Sequence, residues 1–126
     1  MLDAEKLVAF GATTDATRAI EFYGRVLGLS LRSQDEFAVV FDAGGTELRL
    51  QKVERVKPHP FTALGWQVAD VVRIVDRLVA EGVRPERYQW LEQDSRGIWS
   101  APSGARVAWF KDPDGNLLSV AQYPAL

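Results

Sequence analysis

Cysteine is absent from this chain. Disulfides, thiolate nucleophiles, Cys-ligated zinc and iron–sulfur clusters are therefore excluded. Histidine is nearly absent. His59 is the only one, so a single chain cannot offer two imidazoles to a metal or a reaction. An excess of one charge sign is also lacking. Fifteen basic residues against 17 acidic ones leave a net charge of −2, which gives no electrostatic case for nucleic acid or an anionic membrane as partner. No apolar run approaches the roughly 20 residues needed to span a bilayer. The opening MLDAEKLVAF places two acids and a lysine ahead of a short apolar run. That makes a poor signal peptide, and a cytoplasmic location is the expectation. What is present is ordinary for a globular protein: 47% hydrophobic and 25% charged residues. A length of 126 residues is one domain's worth.

The stretch Lys6 to Thr13 is short, apolar and bounded by polar residues, so it reads as a strand. Thr14 and Asp15 follow as helix N-caps. Ala16, Ala19, Ile20, Tyr23, Val26 and Leu27 then recur at helical spacing, and Gly28 closes the helix. Leu29 to Ser33, Phe37 to Asp42 and Glu47 to Gln51 are strand-like, with Gly44-Gly45 turning between the last two. The pattern then repeats. FTALGWQV from Phe61 reads as a strand and Asp70 as an N-cap. Val71, Ile74, Val75, Leu78 and Val79 form an apolar helical face, and Gly82 ends it. Strand-like segments follow at Arg87 to Leu91, Ala105 to Lys111 and Leu117 to Gln122.

Both halves therefore read β-α-β-β-β. Asp15 matches Asp70, Gly28 matches Gly82, and DAGGTELRLQ from Asp42 matches DPDGNLLSVA from Asp112. The segment from Val53 to Pro60, with two prolines and the three residues Arg55, Lys57 and His59, reads as a connector. The expected fold class is α+β: two tandem βαβββ modules, about 1–52 and 61–126, in one domain over 1–126. Their curved mixed sheet would enclose a central cup. The second module carries an extra segment, roughly Glu92 to Ser103.

The sequence resembles the vicinal oxygen chelate superfamily, which includes glyoxalase I, extradiol dioxygenases, and fosfomycin- and bleomycin-resistance proteins. The carrying residues are Asp15, Phe22-Tyr23, Leu27-Gly28-Leu29, and Phe110 with Asp112-Pro113-Asp114-Gly115-Asn116. The DPDG run also has its own physics. Pro113 presets φ for a type I turn, Asp114 tolerates the next position, and Gly115 takes the left-handed one. With a bulge this makes a three-residue hairpin loop. It sets Asp112 opposite Asn116 and Trp109 opposite Ser119. The same arithmetic in the first half sets Val39 opposite Arg49.

Enzymes of the family bind a divalent metal in the cup through His, Glu or Gln on the first and last strands of each module. Carried over residue by residue, those positions are Val8, Arg49, Ala63 and Ser119. Val and Ala offer no donor, Ser is a weak one, and Arg49 repels a cation. The expectation is therefore no metal and no cofactor, with His59 a connector residue. Strand alternation nominates a different lining: Phe10, Val39, Arg49, Gln51, Gln67, Trp109 and Ser119, with Trp90 and Trp99 in or beside the extra segment. Arg49 suits a carboxylate, a phosphate or a ring face, unless Glu47 or Asp42 holds it as an ion pair. The sequence carries no nucleophile elbow, P-loop or dinucleotide fingerprint. Asp94 and Glu92 are the candidate general bases.

The leading reading is a metal-free protein of the glyoxalase/bleomycin-resistance type that binds an aromatic or anionic small molecule. The alternative is a lyase, isomerase or dioxygenase-type enzyme with a non-standard metal site or metal-free acid–base chemistry. A third reading is a protein whose cup is filled by its own side chains. The resemblance implies a homodimer, while the charge balance and the short apolar runs imply no nucleic-acid or membrane partner.

Overall fold

Both helices begin where an aspartate caps them. Asp15 accepts a hydrogen bond from the Arg18 N–H at 3.0 Å, and Asp70 from the Arg73 N–H at 3.1 Å. Each cap satisfies one of the orphan donors at a helix start. The structure, a computed structural model, describes residues 1–125. Two compact units divide it, one over Met1–Lys57 and one from Pro58 to the last described residue.

The first unit contains β1 (Val8–Thr13), α1 (Ala16–Ala19), a π-helical segment (Ile20–Val26), β2 (Ser30–Gln34), β3 (Ala38–Ala43) and β4 (Thr46–Lys52). The sheet order is β1-β4-β3-β2, with β1 parallel to β4 and the other pairs antiparallel. One face packs on the helix. Val39, Phe41, Leu48 and Leu50 are all at most 1% exposed, and the Tyr23 ring lies 5.9 Å from Phe41. The expected α-helix to Leu27 instead widens to π geometry, ending with the Leu27 N–H bonded to the Phe22 carbonyl. The neighbours Phe22 and Tyr23 are both buried, edge to face at 5.2 Å. A wider turn brings consecutive side chains closer to a common face, which suits two adjacent aromatics in one core.

The second unit contains β5 (Leu64–Gln67), α2 (Val71–Ala80), β6 (Trp99–Ser100), β7 (Arg106–Lys111) and β8 (Leu117–Gln122). The order β5-β8-β7-β6 repeats that of the first unit, again with a parallel first pair. The βαβββ order is therefore present twice, as two four-stranded mixed sheets. The core of this unit is Val71, Val75 and Leu78 with Ala108, Phe110, Leu118 and Val120, all buried.

Two sequence expectations are corrected here. Arg87 to Leu91 is not a strand; the partner of β7 is the two-residue β6, further along the chain. Val39 is not opposite Arg49. Val40 is, and Val39 lies opposite Leu50. The cause is turn length. In the second unit the Asp112 N–H bonds to the Asn116 carbonyl at 3.0 Å, which closes the three-residue loop with Gly115 at φ 86°. In the first unit Ala43 pairs with Thr46 around Gly44-Gly45 alone, with both glycines at positive φ. Such a two-residue turn shifts the register by one, and one residue of shift exchanges the two faces of a strand.

Candidate functional site: an aromatic wall on the second sheet

The face of the second sheet away from its helix carries Trp99, Val107, Trp109, Lys111, Ser119, Gly65 and Gln67. Trp109 and Ser119 are directly opposed, as the turn arithmetic predicts. The Trp109 ring is half-buried and flanked on both sides. Trp99 lies 6.1 Å away, tilted by 34°, and Tyr88 meets it edge-on at 5.7 Å. Tyr88 in turn contacts Trp90 at 4.8 Å. Four rings thus form a continuous row, within the distance range of favourable aromatic pairs. Trp90, at its end, is 78% exposed.

The row is held from below. The Glu86 N–H donates to the Trp109 carbonyl at 2.7 Å, and the Glu86 carboxylate pairs with Lys111 Nζ at 3.1 Å. Burial, reinforced by the Glu86 charge, pushes the Tyr88 hydroxyl above its ordinary pKa. Tyr88 is therefore a neutral phenol throughout the physiological range, a donor rather than a base. The sequence reading missed Tyr88. Its only signal is its place two residues before Trp90, in a segment mistaken for a strand.

On the first sheet the equivalent face carries Val8, Phe10 and Ala12 beside Glu47, Arg49 and Gln51, with Val40 opposite Arg49. Phe10 is 54% exposed next to Arg49. Arg49 Nη1 lies 3.3 Å from Glu47 Oε2, so the ion pair weighed from the sequence is present. Gln51 is exposed on this face. Val39, nominated as a lining residue, has no exposed surface and faces the helix; it is a core residue.

The four metal-equivalent positions occupy matching places. Phe10 is beside Arg49 and Gly65 beside Ser119. Val8 therefore stands to Arg49 as Ala63 stands to Ser119, diagonally across the parallel strand pair. These are the positions that the resemblance implies for metal ligands, and none of the four side chains is a good donor. Among the described residues no group of three or more His, Asp or Glu side chains could hold a metal ion. Nor does any buried side-chain N or O atom lack a partner. The residues present do not fit the metal of the family's enzymes. His59 is exposed and stacks on Phe61 at 5.0 Å.

The candidate bases fare differently. The Asp94 carboxylate accepts from the Arg96 and Ile98 N–H groups at 2.9 Å, so it fastens its own turn. Glu92 is exposed. Both line an open hollow of about 390 Å³ with Gln93, Ile98, Trp99 and Ser100. Asp112 is 6% exposed, and its carboxylate accepts from the Asp114 and Asn116 backbone N–H groups and from Asn116 Nδ2. The most recognisable motif of the chain thus locks a hairpin.

A family model described as Glyoxalase/Bleomycin resistance protein/Dioxygenase superfamily matches residues 9–120. The chain belongs to this superfamily. A curated relative, the uncharacterized protein YraH of Bacillus subtilis, is 31% identical over 122 residues, covering 84% of this chain and 88% of that one. The fold is shared with a fosfomycin resistance protein, FosX, from Listeria monocytogenes: TM-score 0.76 at 12% identity, over 96% of this chain and 94% of that one. It is also shared with a lactoylglutathione lyase from Agrobacterium tumefaciens: TM-score 0.69 at 19% identity, over 95% and 96%. Such identities establish a common fold and nothing about a common substrate. No helix among the described residues of this superfamily member is long and apolar enough to cross a membrane.

Proposed function

We propose that this superfamily member binds a planar aromatic small molecule without a metal, the ligand lying against the Trp109 ring. The observation that carries this reading is the row Trp90–Tyr88–Trp109–Trp99 on the helix-free face of the second sheet. Apolar walls with a few oriented polar groups are the usual make-up of a small-molecule site. Here the polar groups nearby are the Ser119 hydroxyl and the Gln67 amide. A Cβ at position 65 would come within 2.8 Å of Ser119 Oγ, so the glycine is what gives that hydroxyl its room. Arg49 is the candidate for an acidic ligand group. Glu47 already neutralises it, so the proposal rests on rings rather than on charge.

The test is a titration of chelator-treated protein with proflavine and with anthraquinone-2-sulfonate, a planar cation and a planar anion, read by tryptophan quenching. Saturable quenching that weakens about tenfold in Trp109→Leu supports the reading, since one lost stacking partner is worth roughly 1–1.5 kcal/mol. Quenching that is linear in concentration, or that Trp109→Leu leaves unchanged, contradicts it. The same proposal takes the chain as one domain working as a cytoplasmic homodimer. Light scattering checks the assembly by returning twice the 14.0 kDa chain mass.

A further inference from the structure

Two of the four rings in the aromatic wall come from residues outside regular strands. Tyr88 and Trp90 lie in the connection between α2 and β6, where no sheet pairing fixes the backbone. Something else must hold the rings in their row. The backbone of Gln93 forms an isolated antiparallel bridge with Trp99. Its side chain makes three hydrogen bonds. Oε1 accepts from the Tyr88 N–H at 2.8 Å, and Nε2 donates to the Glu86 carbonyl at 2.9 Å and to the Gly97 carbonyl at 2.8 Å. Glu86 is the residue whose own N–H is bonded to the Trp109 carbonyl. Gln93 is thus bonded directly to the segments bearing Tyr88 and Trp99, and reaches the Trp109 strand through Glu86.

We propose that the Gln93 side-chain amide is the positioning group of the aromatic wall, holding the Tyr88 ring against Trp109. The chemistry specifies glutamine. One acceptor faces a backbone N–H and two donors face backbone carbonyls, which is the full donor count of a primary amide. A carboxylate would set a negative charge against two carbonyl oxygens. An aliphatic side chain would leave three backbone groups without partners, each costly where water is excluded. Asparagine is one methylene too short to span the same three partners.

The test uses Gln93→Leu and Gln93→Glu in the full chain, with Asp76→Asn as control. Asp76 ties the same connection to α2 through a bidentate pair with Arg96, at 2.8 and 3.2 Å, and touches none of the rings. The first readout is the near-ultraviolet circular dichroism of the coupled rings, which is independent of any ligand. Gln93→Leu is expected to lose most of the ring-coupling signal while keeping a cooperative unfolding transition, and Asp76→Asn to retain the signal. Gln93→Glu is expected to lose it at pH 8 and regain part of it on acidification, because a protonated carboxyl recovers one donor. A wild-type ring spectrum in folded Gln93→Leu would overturn the proposal, as would an equal loss in Asp76→Asn. Should the leucine variant not fold, the glutamate variant decides: a wild-type spectrum at pH 8 overturns the proposal. The second readout, dye affinity, rests on the binding reading above and should fall about three- to tenfold with the loss of one ring contact. Wild-type protein that binds neither dye sinks that reading alone, and the ring spectrum still judges Gln93.

Discussion

At one diagonal off the first strand of each unit, the N-terminal half places Arg49 where the C-terminal half places Ser119. Around Arg49 stand Phe10 and Glu47; around Ser119 stand Gly65 and Trp109. Sheet order, parallel first pair and aspartate cap are the same in both. The difference comes from the connection after the helix. In the first unit the chain passes from Leu27 to β2 at Ser30 almost at once. In the second it wanders from Glu81 to Ile98 before β6, and that detour brings Tyr88 and Trp90 to the exposed face. A duplicated scaffold thus acquires an aromatic surface in one copy through loop length. The sheet order is kept while the outer strand shortens from five residues in β2 to two in β6, and loops on a rigid sheet commonly carry function.

The largest expected contrast lies in the two hairpins. Asp112→Ala removes a buried acceptor of three hydrogen bonds and should cost about 3 kcal/mol in urea unfolding. Asp42→Ala, at the matching place, loses one bond to the exposed Gly45 N–H and a 3.5 Å pair with Arg32, and should cost about 0.5 kcal/mol. Equal costs would break the claim that the DPDG run is primarily a lock.

The next contrast concerns the connection itself. Gly97 is at φ 83°, and an added Cβ would lie 2.9 Å from Pro85 Cβ. Gly97→Ala should therefore cost about 2 kcal/mol or more and dim the ring-coupling signal. Gly44→Ala, at φ 61° in open space, should cost about 1 kcal/mol and leave the rings alone. A third contrast is functional. Trp109→Leu should weaken planar-dye binding about tenfold, whereas Arg49→Ala should change it less than about twofold. A larger effect at Arg49 would move the ligand's anchor to the first sheet.

The smallest effect belongs to the Asp76–Arg96 pair. The Arg96 hydrogen bonds hold the Asp76 carboxyl below the usual carboxylate range. A depressed carboxyl pKa contributes stability above its unfolded value and loses it as pH falls through the folded one. Both groups are exposed, so the contribution is slight. Asp76→Asn should lower the melting temperature by a small amount at neutral pH, and by nothing once the wild-type carboxylate is protonated.

Much of the fold is legible in the sequence because its signals are local and mutually consistent. Asp15 and Asp70 cap helices, and Pro113 to Gly115 form a turn whose residues each have a physical reason to be there. The register of the first sheet is misread because the aligned segments DAGGTELRLQ and DPDGNLLSVA hide a difference of one loop residue. That single residue moves Val39 from the candidate face into the core. The segment Arg87 to Leu91 has strand composition. Its Tyr88 N–H bonds to the Gln93 side chain and its Arg87 guanidinium donates to the Asp94 and Ser95 carbonyls, which no alternation pattern reveals. The π-helical turn shares its apolar spacing with an ordinary helix. Of the candidate site, Trp109 and Ser119 follow from alternation and the turn, and Trp90 and Trp99 from their place in or beside the extra segment. Tyr88 does not, because loop geometry alone brings it to Trp109.

We propose that the positions the resemblance assigns to metal ligands hold no metal in this chain. Elemental mass spectrometry tests it most directly, on protein stripped, incubated with nickel, manganese, zinc and iron(II), and then desalted. Val8, Arg49, Ala63 and Ser119 predict a metal content far below one per chain. A content close to one per chain would contradict the account.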